Sequence, residues 1–406
     1  MNAGPEVQVD NRTWQRAGFR IQNGYAWYFG AIGAYVPFAA LYFRELGFSG
    51  TRIGMLVALL SIGTAIVGPV AAGIADIRGL HRSIIRVGLF GSVIAAIALT
   101  QTTSFWPFFL LTALFAACMA PISSLLDGYA MTITERSGIS FGRLRVWGSA
   151  GYMLVVLVVG RWTGDIVDER IYLAVALGIG LALIATFNLP PMGHHVRPTA
   201  LSGIREITRN KPLMLLMVIA LFSASGTAIL NNFLGIHLEE IDGSARLVGP
   251  AFAISGASEL PVIALGGVLM RRIQPIWLLT GALAIYALRL VIYGTTEQPD
   301  LVLVLQAFHG LSFGIFLITT VSMAFRLAGP LYAATAQALL TAMSFGFGSI
   351  AGSLIGGLLL DRVGTSGLFH GAAVLMIVTL GMLLIGNRFI PLTSSSAAHA
   401  PGTTPT

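Results

Sequence analysis

Twelve stretches of mostly apolar residues recur along the chain, and each is long enough to cross a bilayer. A membrane-spanning helix needs roughly 20 such residues. The stretches run approximately over 19–43, 53–75, 84–101, 105–131, 141–160, 171–189, 213–237, 246–270, 276–294, 301–325, 333–360 and 367–390. A soluble fold of 406 residues needs a polar shell, and a chain that is 55% hydrophobic and 10% charged cannot supply one. The first stretch is too long for a cleavable leader and lacks a small-residue cleavage site after it, so it reads as a retained first span.

The longest polar interruption, 190–212, lies between the sixth and seventh spans. It divides the chain into an N-terminal half (1–189), a linker, a C-terminal half (213–392) and a Ser/Ala/Pro/Thr-rich tail (393–406). The expected fold is an all-α membrane protein, twelve helices in two pseudo-symmetric six-helix halves. Seventeen of the 24 Lys and Arg residues fall on the side carrying both termini, six fall on the opposite side, and Arg289 lies within a span. Basic loops stay inside, so both termini are expected in the cytoplasm of a multi-pass inner-membrane protein. The same distribution explains the net charge of +7 without nucleic acid, since the basic residues sit singly or in pairs between apolar segments.

Ionisable residues inside the spans carry the functional information, because each costs roughly 2.5–3.5 kcal/mol at a helix centre. They are Asp127 in the fourth span, Arg145 in the fifth, Glu259 in the eighth, Arg289 in the ninth and His309 in the tenth. Such groups pair with each other or face a watery cavity. Glu259 sits about 18 Å from either end of its span, and Arg289 and His309 lie about 8 and 12 Å from theirs, so the three are expected to meet. Arg145, Ser149 and Tyr152 share one helical stripe, as do Ser255 and Glu259. Asp127 and Arg145 also admit a structural reading, a latch near the helix ends whose side chains snorkel to water.

Other motifs are weaker. Asp76, Arg78, Gly79 and Arg82 form a tight charged turn between the second and third spans. There Asp76 can accept from a neighbouring helix N-terminus and the arginines can face anionic lipid. The glycines from Gly346 to Gly357 suit close helix packing. No phosphate-binding loop, hydrolase triad or metal-ligand spacing occurs, so neither an enzyme nor a cofactor is expected. The one cysteine, Cys118, cannot form an internal disulfide.

Several segments resemble the lactose permease and phenylpropionate permease group of the major facilitator superfamily. They are DGYAMTITERSGISFGRLR from Asp127 to Arg145, GAYVPF from Gly33 to Phe38, GASELP from Gly256 to Pro261, and QAFHGLSF from Gln306 to Phe313. Asp76 to Arg82 is similar to the superfamily's signature between spans two and three, with Ala72 at an upstream glycine position. The resemblance implies that Asp127, Arg145, Tyr152 and Tyr28 contact substrate, with Tyr152 as an aromatic platform. It also implies that Glu259, Arg289 and His309 form a proton-coupling network. Ser312 and Val262 replace a family acid and a sugar-binding amide, which questions the proton route and galactoside recognition.

The expected function is proton-coupled uptake of a small organic solute, an aromatic acid, nucleoside or sugar, by a monomer that alternates access. The competing readings are a proton-antiport exporter of amphipathic compounds and, more remotely, a non-transporting receptor.

Overall fold

In the computed structural model the described residues are 11–192, 207–242 and 244–392, so the expected tail and most of the expected linker lie outside them. The described residues form twelve membrane-spanning helices: α1 Asn11–Glu45, α2 Gly50–Arg78, α3 His81–Leu99, α4 Phe105–Ser137, α5 Phe141–Thr163, α6 Arg170–Thr186, α7 Lys211–Asp242, α8 Ala245–Arg272, α9 Pro275–Thr295, α10 Pro299–Gly329, α11 331–363 and α12 365–389. The last two form one apolar run of 59 residues, Leu331–Phe389. At 1.5 Å per residue that is far longer than a bilayer is thick. Gly364, at φ 67°, breaks it into two spans. Gly329, at φ 71°, likewise separates α10 from α11. The left-handed region admits glycine without steric cost, so these two residues turn the chain where no polar loop does.

Three helices contain a π-helical stretch: α2 at Gly63–Val67, α10 at Gly310–Gly314 and α11 at Ala342–Gly348. The α10 stretch lines the central cavity described below and the α11 stretch a smaller one beside it, and such insertions recur at functional sites.

α1 packs against α5 and α6, and α7 against α11 and α12. The two sets of six meet tightly at the face opposite the termini, here called the distal face. There α2 runs against α11 so closely that a Cβ at Gly54 would lie 2.5 Å from the Ser353 carbonyl oxygen. Asp361, at the distal end of α11, accepts from the backbone N–H groups of Gly50 and Thr51 at 2.5 and 2.7 Å and from the Thr51 hydroxyl at 2.6 Å. It therefore caps the N-terminus of α2, where the helix dipole favours an anion. Arg44 of α1 pairs with Glu240 of α7 at 2.7 Å. Asp165, after α5, pairs with Arg246 of α8 at 2.8 Å.

At the face bearing the termini, the following side-chain bonds, all between described residues, stay within one half. Arg20 and Arg86 reach the Asn188 and Phe187 carbonyls, and Asn210 donates to the Leu327 carbonyl at 2.9 Å. Asp76 was expected to reach a neighbouring helix N-terminus, and its partner is His81, the first residue of α3, at 2.9 Å. Among the described residues both partners of this bond belong to the N-terminal half. Gly79 takes φ 66° and ends α2, and Arg78 and Arg82 flank it.

Candidate functional site

A cavity of about 260 Å³ lies between the halves at mid-depth. From the N-terminal half, Phe29, Val36, Arg145, Ser149, Tyr152 and Met153 face it. From the C-terminal half come Asn231, Phe252, Ser255, Glu259, His309 and Phe313. The stripe Arg145, Ser149, Tyr152 and the pair Ser255, Glu259 thus face the same space, as their helical spacing predicts.

Asp127 and Arg145 approach across α4 and α5, with Arg145 Nε 3.7 Å from Asp127 Oδ1. The carboxylate is held more firmly by Tyr25 of α1, whose hydroxyl donates to Asp127 Oδ1 at 2.5 Å. The Arg145 guanidinium lies across the Phe29 ring, 4.0 Å from its centroid, and 5.3 Å from that of Tyr25. Cation–π contact with a neighbouring ring orients it without consuming its N–H donors. Gly148 makes the posture sterically open, since a Cβ there would lie 2.8 Å from Arg145 Nη1 and 2.9 Å from Phe29 Cδ2. Both side chains keep solvent access, 33% for Arg145 and 41% for Asp127. They form a polarised pair with donors and acceptors free for a ligand, and the access weighs against a sealed structural latch.

Tyr28 does not take the place expected of it. It is 4% exposed, and its hydroxyl points to the Met119 carbonyl of α4 at 3.5 Å. Its neighbour Phe29 carries the stripe onto the cavity, four residues after Tyr25 and seven before Val36. That i, i+4 register is legible in the sequence.

In the C-terminal half, Gly310 brings α10 onto α8. Its N–H donates to Ser258 Oγ at 2.8 Å, and a Cβ there would lie 2.0 Å from the Ser258 carbonyl oxygen. That approach sets His309 beside Glu259, with Nε2 3.3 Å from Oε1. Phe313 stacks on the imidazole at 5.4 Å. Arg289, 1% exposed, lies behind the histidine. It donates to Ser312 Oγ at 2.7 Å, Tyr293 Oη at 2.9 Å and Gln306 Oε1 at 2.8 Å, and its Nη1 lies 3.3 Å from His309 Nδ1.

Glu259, His309 and Arg289 therefore do converge, but as a row, with the imidazole between the two charges. The row fixes a tautomer. A guanidinium nitrogen can only donate, so Nδ1 accepts from it and Nε2 carries the hydrogen that points at Glu259. Ser312, in the place of a family acid, is an acceptor for Arg289. Gln306 and Tyr293 complete that cradle of neutral oxygens. Asn231 joins the central cavity to a smaller one of about 100 Å³ between α7, α10 and α11. No charge marks it in the sequence. Val262 packs 3.2 Å from where a Gly314 Cβ would be and is not part of the cavity lining.

A six-plus-six bundle sealed at one face, with ionisable rows from both halves around a midplane cavity, has the architecture of an alternating-access carrier. The MFS_1 like family model matches residues 19–371. The chain belongs to that family. It is a multi-pass membrane protein and a secondary transporter of the major facilitator type, acting on a small molecule. Among its relatives, the maltose permease of Geobacillus stearothermophilus is 30% identical over 368 residues, covering 89% of this chain and 92% of that protein. A probable 3-phenylpropionic acid transporter of Escherichia coli (strain K12) is 24% identical, covering 70% and 76%. The crystal structure of the nucleoside transporter NupG superposes with a TM-score of 0.81 at 17% identity, covering 91% and 98%.

Proposed function

We propose that this transporter is a proton-coupled importer of a small, neutral, hydroxylated solute, with sugars as the first class to try. The observation that carries the reading is the opposition across one cavity of Arg145, which Asp127 and Tyr25 adjoin, to Glu259 and His309. Asp127 already balances Arg145, and Glu259 supplies a second carboxylate on the far wall. A carboxylate substrate would face both acids, whereas a polyol can donate to Asp127 and accept from Arg145 at once. Tyr152 offers the flat surface on which a pyranose ring stacks. The name of the maltose permease relative agrees with this class.

Glu259 is the coupling carboxylate in this reading. It accepts the His309 Nε2 hydrogen and opens on the cavity, so it can exchange a proton with solvent in one state and lose access in the other. The terminal face is cytoplasmic on the distribution of basic residues, so the structure represents the inward-facing form. The protein works as a monomer and performs no covalent chemistry on its cargo. In proteoliposomes, Glu259→Gln should exchange substrate at equilibrium yet fail to accumulate it against a gradient when an inward proton gradient is imposed. Accumulation surviving at the wild-type level would remove Glu259 from the proton route. Proton release on substrate entry from the distal side would instead identify an exporter.

A further inference from the structure

The smaller cavity of about 100 Å³ belongs wholly to the C-terminal half, between α7, α10 and α11. It shares Asn231 and Phe313 with the central cavity, so the two adjoin at that wall. α7 starts at the terminal face, and Ala224, which lines the smaller cavity, lies seven residues before Asn231. At 1.5 Å per residue the smaller cavity therefore extends about 10 Å toward that face. Its chemistry differs from that of its neighbour. Arg145, Glu259 and His309 line the central cavity, whereas no ionisable residue lines the smaller one. Three aromatic rings, Phe313, Phe316 and Phe345, give it flat walls. Phe313 lies in the π-helical stretch of α10 and Phe345 in that of α11. The hydroxyls of Thr227 and Thr320 are spent on carbonyls of their own helices, Ser223 at 2.9 Å and Phe316 at 2.8 Å. Two amides remain, Asn231 at the junction and Gln337 inside, and among the described residues neither has a hydrogen-bond partner.

We propose that the smaller cavity is a subsite for a flat, uncharged heterocycle joined to the hydroxylated ring of the substrate, so that the cargo is a nucleoside rather than a free sugar. A purely apolar ring would bury the two amides without partners. A second sugar ring carries hydroxyls on every side, more than aromatic walls can satisfy. A nucleobase answers both constraints, because its faces stack on aromatic side chains and its edge offers the donor and acceptor that a carboxamide matches. The size of the cavity suits the single ring of a pyrimidine. The ribose hydroxyls lie in the central cavity with Asp127 and Arg145, and the base extends past Asn231 to Gln337. The inference rests on the neutral, hydroxylated class proposed above and narrows it; it does not depend on Glu259 being the coupling residue.

Calorimetry on the full-length protein in detergent, with uridine, methyl β-D-ribofuranoside and maltose as probes, tests it. Uridine should bind about 10- to 100-fold more tightly than the methyl riboside, the usual gain from stacking one base. Gln337→Leu keeps the volume and removes the amide, and should cost uridine about tenfold while leaving the methyl riboside unchanged. Thr341→Phe fills the subsite from α11 and should bring the two affinities together. An unfolding midpoint near that of wild type shows that each variant keeps its fold. Equal affinity for uridine and methyl riboside in the wild type, or a preference that survives both variants, overturns the subsite. A gain for maltose that Gln337→Leu removes would put a second sugar ring there and overturn the nucleobase assignment while leaving the sugar reading in place. Binding of none of the three would overturn the neutral, hydroxylated class, and the subsite with it.

Discussion

Substituting Gly54 by leucine puts a side chain where α2 and α11 touch only while the distal face is sealed. A Cβ at Gly54 would stand 2.5 Å from the Ser353 carbonyl oxygen and 3.0 Å from Gly357 Cα. The first approach is roughly 1 Å inside ordinary contact. Both obstacles are backbone, so no rotamer change relieves the clash, and the helices must separate. Overpacking of this kind costs about 1–3 kcal/mol. The cost falls on the sealed state alone, because an open distal face parts the two helices. The ratio of distal-open to distal-sealed molecules should therefore rise about 5- to 150-fold. Val36 faces the cavity from the distal part of α1. In right-side-out vesicles, V36C in the C118S background should react with an impermeant maleimide faster by a similar factor in the leucine variant. Net transport should fall, since the cycle stalls open to the outside. Unchanged alkylation in a variant that purifies intact would refute the view that this contact closes the distal face.

Arg145→Ala should abolish measurable substrate binding by calorimetry while leaving insertion intact; wild-type affinity would reduce the Asp127–Arg145 pair to a structural role. Arg289→Met should destabilise the protein by about 3–5 kcal/mol, the usual cost of removing one side of a buried charged network. The cause is that Ser312, Tyr293, Gln306 and His309 lose a common donor, and a thermal unfolding midpoint equal to wild type would contradict the cradle. A reporter active only outside the cytoplasm, fused after residue 390, should be silent, and a strong signal would invert the orientation.

The spans were legible because hydrocarbon thickness leaves little choice of length, and the intramembrane ionisable residues were legible because their cost demands company. That logic found Asp127, Arg145, Glu259, Arg289 and His309, which the structure gathers into two rows. It could not order the second row, since depth along a helix does not reveal that the imidazole stands between the charges. It missed Asn231 and Gln306, whose neutral amides cost too little to stand out from an apolar run. Tyr28 came from the family resemblance, whereas the helical register of Tyr25, Phe29 and Val36 places Phe29 on the cavity. The partner of Asp76 is the first residue of the neighbouring helix, His81, within the same short turn.

The break at Gly364 also bears on how the chain is made. Within the 59-residue run from Leu331 to Phe389, the charged residues before Arg388 are Asp361 and Arg362, immediately ahead of that glycine. A ribosome feeding this run into the membrane delivers almost no hydrophilic interval at which the insertion machinery could pause or reverse direction. Such a short interval suits entry of α11 and α12 as a helical hairpin, with Asp361, Arg362 and Gly364 at its turn. The carboxylate that caps α2 in the finished protein thus also marks, during synthesis, where the chain turns back.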